Sequence, residues 1–154
     1  MRVSKQPRRV SNRKMAKADF ERLAHFRYQL RRFLRFSEEV ARKQGITSLQ
    51  YLLMLQIKGF PGREWATVGE LAERLQAKHH GVVSLISRCE AIGLVSRRVS
   101  KSDGRCVEVK LTQKGENYLE RLALLHSVEL QSLQGQFVVP DLTAAGPDQG
   151  RSAR

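Results

Sequence analysis

Acidic residues are scarce in this 154-residue sequence: 15 Asp and Glu stand against 28 Lys and Arg, leaving a formal charge of +13. Such an excess makes a polyanion the first partner to consider, either nucleic acid or an anionic membrane surface. Cysteine is nearly absent. Cys89 and Cys106 lie outside any CxxC pattern, which excludes a disulfide scaffold and a zinc site built from cysteine pairs, and agrees with a reducing compartment. No stretch reaches the ~18 apolar residues needed to cross a bilayer, and the basic start MRVSKQPRRVSNRK is followed by no apolar core with a cleavage site. The expectation is an unexported, cytoplasmic protein with no membrane partner. Also missing are a Ser/His/Asp order, a glycine-rich phosphate loop, an HExxH helix and carboxylates at metal spacing. His79 and His80 are adjacent, so one helix cannot aim both at one ion. Neither catalysis, a metal nor a cofactor is expected.

What is present is enough for one core, with 41% apolar residues. Residues 1–17 hold seven Lys and Arg with no acid, which reads as a disordered basic arm, and residues 137–154 mix Pro140, Gly146, Pro147 and Gly150 into a flexible tail. Between them, residues 18–60 read as two helices for dimerisation and core. In the first, Phe20, Leu23, Phe26, Leu30, Phe33 and Leu34 recur at helical spacing up to about Lys43, with Gly45 beyond. Thr47 and Gln50 form a capping box for the second, with Ile46 and Tyr51 placed as a hydrophobic staple. After a loop, PGREW, Thr67 and Glu70 repeat the start signal for a short third helix.

Residues 61–112 form a DNA-binding lobe in this reading. A fourth helix, from Lys78 to Ile92, turns Val82, Leu85, Ile86, Cys89 and Ile92 to one face, and Gly93 closes it. LVSRRVS and CVEVKLT then form a β-hairpin around Lys101-Ser102-Asp103-Gly104. Thr112 caps a last helix, spanning residues 113–136, whose stripe of Leu119, Leu122, His126, Leu130 and Leu133 suits dimerisation. On that stripe His126 reads as a satisfied interface residue rather than a pH sensor. The fold expected is mainly α with a small β-hairpin, a winged helix-turn-helix with flanking dimerisation helices. Its fourth helix would enter a major groove through Lys78, His79, His80, Gly81, Ser84 and Arg88, and its hairpin would add Arg97, Arg98, Lys101 and Arg105. Histidine and lysine donate to guanine or phosphate, Ser84 serves either base edge, and Gly81 lets backbone come close.

The segments VGELAERL, EAIGLV and SDGRCVEVKLTQKG resemble the MarR family of bacterial regulators, whose wing reads D-x-R followed by L-T-x-x-G. KHHGVVSLISR is similar to a family variant reading KHHSVV, with Gly81 in place of serine. The resemblance covers roughly residues 18–133. It implies a homodimer with interleaved first and last helices, bound to double-stranded, pseudo-palindromic operator DNA as a repressor. It also implies a wing arginine in the minor groove beside an aspartate that orients it, roles that carry over to Arg105 and Asp103. An Asp two residues before an Arg can hold the guanidinium by a charge-assisted hydrogen bond. The resemblance places a small aromatic ligand in an apolar cleft between the helices and the DNA-binding lobe. Phe26, Tyr28, Tyr51, Met54 and Trp65 are candidates to line it, and each reads equally as core. Cys106 follows Arg105, a cationic neighbour that would lower its pKa. The rival reading is a basic RNA-binding or ribosome-associated protein, which composition permits but which ordinarily displays stacking aromatics on a sheet.

Overall fold

A computed structural model of the chain describes residues 14–135 and 137–142. The expected basic arm up to residue 13 and the expected tail from residue 143 lie outside them. Five helices and three strands follow in the order α1 (Lys17–Lys43), α2 (Ser48–Lys58), β1 (Trp65–Thr67), α3 (Val68–Leu75), α4 (His79–Ala91), β2 (Val95–Val99), β3 (Val107–Leu111) and α5 (Gln113–Ser132). The chain divides into two compact units. The larger is Phe33–Gln134, and the smaller is drawn from Met1–Arg32 and Gly135–Arg154. Within the smaller unit the rings of Phe26 and Phe137 lie 5.3 Å apart, and buried Asp19 is paired with Arg22.

Helix ends fall where local chemistry puts them. Both capping boxes form: the Thr47 hydroxyl accepts from the Gln50 amide while the Gln50 side chain accepts from the Thr47 amide, and Thr67 and Glu70 repeat the arrangement. Arg63 binds the same Glu70 carboxylate. Its guanidinium also lies 4.2 Å from the Phe60 ring centroid and 3.9 Å from that of Trp65, which fixes the loop before α3. α4 ends in a left-handed turn at Gly93, φ +77°. There the Leu94 amide donates to the Cys89 carbonyl and the Gly93 amide to that of Glu90, the paired bonds that satisfy a helix's last carbonyls.

The core of the larger unit gathers Leu53, Met54 and Ile57 from α2, Leu71 from α3, Val82, Ile86 and Cys89 from α4, Val109 from β3 and Leu122 from α5. At its edge, buried His126 of α5 stacks on Tyr51 at 4.5 Å between centroids, with Phe33 and Phe36 edge-on. Its Nδ1 lies 2.7 Å from the Leu122 carbonyl and must carry a proton, since a carbonyl only accepts. The Ser37 hydroxyl meets Nε2 at 2.8 Å. Of the expected α5 stripe, Leu119, Leu122, His126 and Leu133 are buried, whereas Leu130 is exposed.

The hairpin is part of a three-stranded antiparallel sheet in the order β1-β3-β2. β1 takes up Trp65, the last residue of the stretch expected as loop, and pairs with β3 through Trp65↔Lys110, Ala66↔Val109 and Thr67↔Glu108. Sheet and α5 are joined at one crowded point. The Thr112 amide donates to the Leu94 carbonyl at 3.1 Å, and its hydroxyl donates to the Gly93 carbonyl and accepts from the Gly115 amide. A Cβ on Gly115 would stand 2.0 Å from the Leu94 carbonyl oxygen. This packing explains the glycine three residues after the threonine.

Candidate nucleic-acid interface

Three residues, Gln76, Ala77 and Lys78, connect α3 to α4. Gln76 takes the left-handed conformation, φ 51°, and the Ala77 amide donates back to the Ala72 carbonyl at 3.0 Å. The turn is therefore sharp, and the Gln76 side chain supports it by donating to the Glu73 carbonyl at 2.6 Å. α4 follows with Val82, Leu85, Ile86 and Cys89 inward. Lys78, His79, His80, Gly81, Ser84 and Arg88 are all exposed, as expected for a face that meets a partner. Lys78 is the N-cap rather than the first helical residue and makes no capping hydrogen bond, so its ammonium stays in solvent. A Cβ at Gly81 would meet nothing within 4 Å. The fold itself does not require glycine there.

Beside this face stands the β2–β3 loop. The Ser100 amide donates to the Cys106 carbonyl, the Cys106 amide to the Asp103 carbonyl, and the Ser100 hydroxyl accepts from the amides of Ser102 and Asp103. Lys101 and Arg105 project from the tip, exposed. Between the start of α3, α4 and this wing lies a cleft of about 470 Å³, lined by Val68, His79, Val83, Arg97, Arg105 and Cys106 among others.

Two expectations about the wing are corrected. Asp103 does not hold the Arg105 guanidinium: its Oδ1 accepts from the Arg105 backbone amide at 3.0 Å, and its Oδ2 faces the Cys106 thiol at 3.6 Å. The short aspartate side chain finds the nearest donors of its own turn first. For the same reason the Cys106 pKa is raised, not lowered, because the Asp103 carboxylate opposes a second negative charge beside it. Burial pushes the Cys89 thiol up to about 11. At neutral pH both thiols should therefore be alkylated by iodoacetamide more slowly than a free cysteine, as mass spectrometry of timed samples would show. A faster reaction at Cys106 would contradict this placement.

The two remaining wing arginines are occupied. Arg97 grips Glu90 of α4 through Nη2 at 3.0 Å and Nε at 3.3 Å, and its backbone amide adds a bond at 3.2 Å. Arg98 Nε donates to Glu108 Oε2 at 2.7 Å across the β2–β3 pair. The arginine hydrogen bonds hold both carboxyls below the usual range. Neither glutamate was among the residues expected at the site, although Glu108 stands opposite Arg98 in the strand register. Of the residues offered for an aromatic ligand, Phe26 and Tyr28 belong to the smaller unit. Tyr51 and Met54 are closed into the core of the larger one, and Trp65 is half-buried under Arg63.

A tri-helical lobe with a sharply set second helix, followed by a three-stranded sheet whose loop stands beside it, is a winged helix-turn-helix. Residues 44–105 match the MarR family. The HTH-type transcriptional repressor MdtR of Bacillus subtilis (strain 168) is 29% identical over 84 residues, 54% of this chain and 52% of MdtR. The match thus spans about half the length of that relative. Among solved structures, AbsC, a MarR family transcriptional regulator from Streptomyces coelicolor, superposes with a TM-score of 0.71 at 19% identity, covering 83% of this chain and 86% of that one. A mutant MarR from E. coli, complexed with operator DNA, gives 0.62 at 24% identity, over 78% and 82%.

Proposed function

We propose that the protein is a homodimeric, sequence-specific DNA-binding transcriptional regulator that represses by occupying a pseudo-palindromic operator. The observation that carries this reading is the exposure of Lys78, His79, His80, Ser84 and Arg88 at α4 and of Lys101 and Arg105 on the wing, with His79 and Arg105 lining one cleft. A helix face with a cationic loop beside it suits a major groove and its flanking backbone. The relatives named above, a repressor and a protein complexed with operator DNA, support it. An RNA-binding reading lacks its platform: β2 and β3 carry no aromatic residue, and the Trp65 ring is covered by Arg63. Genomic fragments selected on the immobilised protein should converge on one symmetric sequence and resist a structured RNA competitor. Recovery of unrelated fragments, all displaced by RNA, would defeat the proposal.

Dimerisation is supported by apolar side chains that a lone copy leaves in water: Leu124, Leu125, Val128 and Leu130 on α5, and Phe20, Tyr28 and Leu34 on α1. Light scattering at micromolar protein should give twice the chain mass. Val128→Glu, placing a carboxylate on a side chain that is 68% exposed, should shift the mass toward one chain without loss of helical signal. A parent that already runs as a monomer would refute the assembly.

A further inference from the structure

The cationic side chains of α4, its N-cap and the wing are not equivalent. Lys78, Arg88, Lys101 and Arg105 make no ion pair among the described residues, whereas Arg97 and Arg98 each have a carboxylate of their own. The Glu90–Arg97 contact is the more elaborate. Two guanidinium nitrogens address both oxygens of one carboxylate, and the Arg97 backbone amide addresses one of them as well. Such a forked pair is geometrically specific and stronger than a single neutral hydrogen bond. A DNA phosphate could recruit Arg97 only by displacing a carboxylate that already satisfies it. We propose that Glu90 is the built-in counter-ion of Arg97, a positioning residue that withholds this arginine from the DNA backbone and so holds down binding to arbitrary sequence. The inference rests on the DNA-binding reading above.

The physical reason for such a device is competition. Phosphate contacts add affinity for every duplex alike and carry no sequence information. Such a contact leaves the ratio of right to wrong affinity unchanged, but it lengthens the stay at each of on the order of a million or more competing sites and so slows the search for the right one. Glu90 lies in the last turn of α4 and Arg97 in β2, so the same pair also ties the recognition helix to the wing. Glu108 is the less informative partner to test. It is buried in the sheet, and its removal would strip Arg98 of a structural contact.

The experiment measures binding of the full chain to a duplex of random sequence across a salt series. Glu90→Gln keeps shape and hydrogen-bonding capacity but removes the charge. It should steepen the slope of log affinity against log salt by about 0.9 for each lobe on the DNA, and raise affinity several-fold at low salt. Glu90→Asp, which keeps the charge, should return the slope toward the parent's. Arg97→Gln alone should leave the parent slope unchanged, and the double variant should match Arg97→Gln. Melting curves recorded alongside identify any variant that has lost its fold, in which case the Arg97→Gln slope alone decides. An unchanged slope in folded Glu90→Gln, a shallower one in Arg97→Gln, or a steepening that survives in the double variant overturns the proposal. A parent with no salt-dependent affinity for any duplex is a different failure, that of the DNA-binding reading itself.

Discussion

Gly115→Ala is expected to destabilise the protein by about 3 kcal/mol or more, at the upper end of what an overpacked methyl group costs. The magnitude follows from what the new Cβ meets. Its nearest neighbour would be the Leu94 carbonyl oxygen at 2.0 Å, with the carbonyl carbon at 3.0 Å, and backbone cannot rotate away as a side-chain tip can. Relief requires α5 to back off from β2, which stretches the Thr112 bonds to Leu94 and Gly93. Thermal melts should fall by roughly 10 °C for a chain of this size. A melting point within about 2 °C of the parent's would show that this junction is looser than described. Gly81→Ala is the natural control, since its Cβ would stand in open space, and it should leave stability nearly unchanged.

Arg105→Ala should weaken operator binding by on the order of 1 to 3 kcal/mol per half-site, a loss that a dimer incurs twice. The arginine is exposed at the wing tip without an ion partner among the described residues, so the fold should be untouched. Asp103→Ala should act in the same direction but more weakly, because Asp103 braces the turn through the Arg105 amide rather than the guanidinium. Titrations at one fixed salt concentration provide the check. Parental affinity in Arg105→Ala would mean that the wing stands clear of the duplex.

The parts of the fold that are legible in the sequence are those decided within a few residues. Thr47 with Gln50, Thr67 with Glu70, Gly93 after α4 and Thr112 before α5 each act on amides or carbonyls of their own segment. What went unread depends on partners distant in sequence. β1 is three residues long, too short to show alternation, and exists because β3 offers it an edge. The Asp103 carboxylate had two donors in reach, and type and spacing alone do not rank a backbone amide above a guanidinium. Lys78, His79, His80, Ser84, Arg88, Lys101 and Arg105 were legible as exposed side chains because the apolar periodicity of α4 and the turn residues of the hairpin leave them outside the core. That Arg97 and Arg98 differ from them is set by Glu90 and Glu108.

The welded start of α5 makes that helix a lever. With 20 residues it is a rod about 30 Å long, fixed at one end to the carbonyls that close α4 and open β2. His126 packs the same rod on Tyr51 and Phe36 farther along, so helix and core tilt together: an angular shift of about 10° displaces the far end by about 5 Å, taking the length above as the radius. On its second half Leu124, Leu125, Val128 and Leu130 are exposed, the side chains proposed above to meet a second copy. In the proposed dimer, how two copies settle against each other there would fix the angle of each rod, and with it the distance between two α4 helices that would have to match about one turn of DNA, ~34 to 36 Å. The caliper that measures the operator would then be set at the end of the molecule farthest along α5 from the reading head.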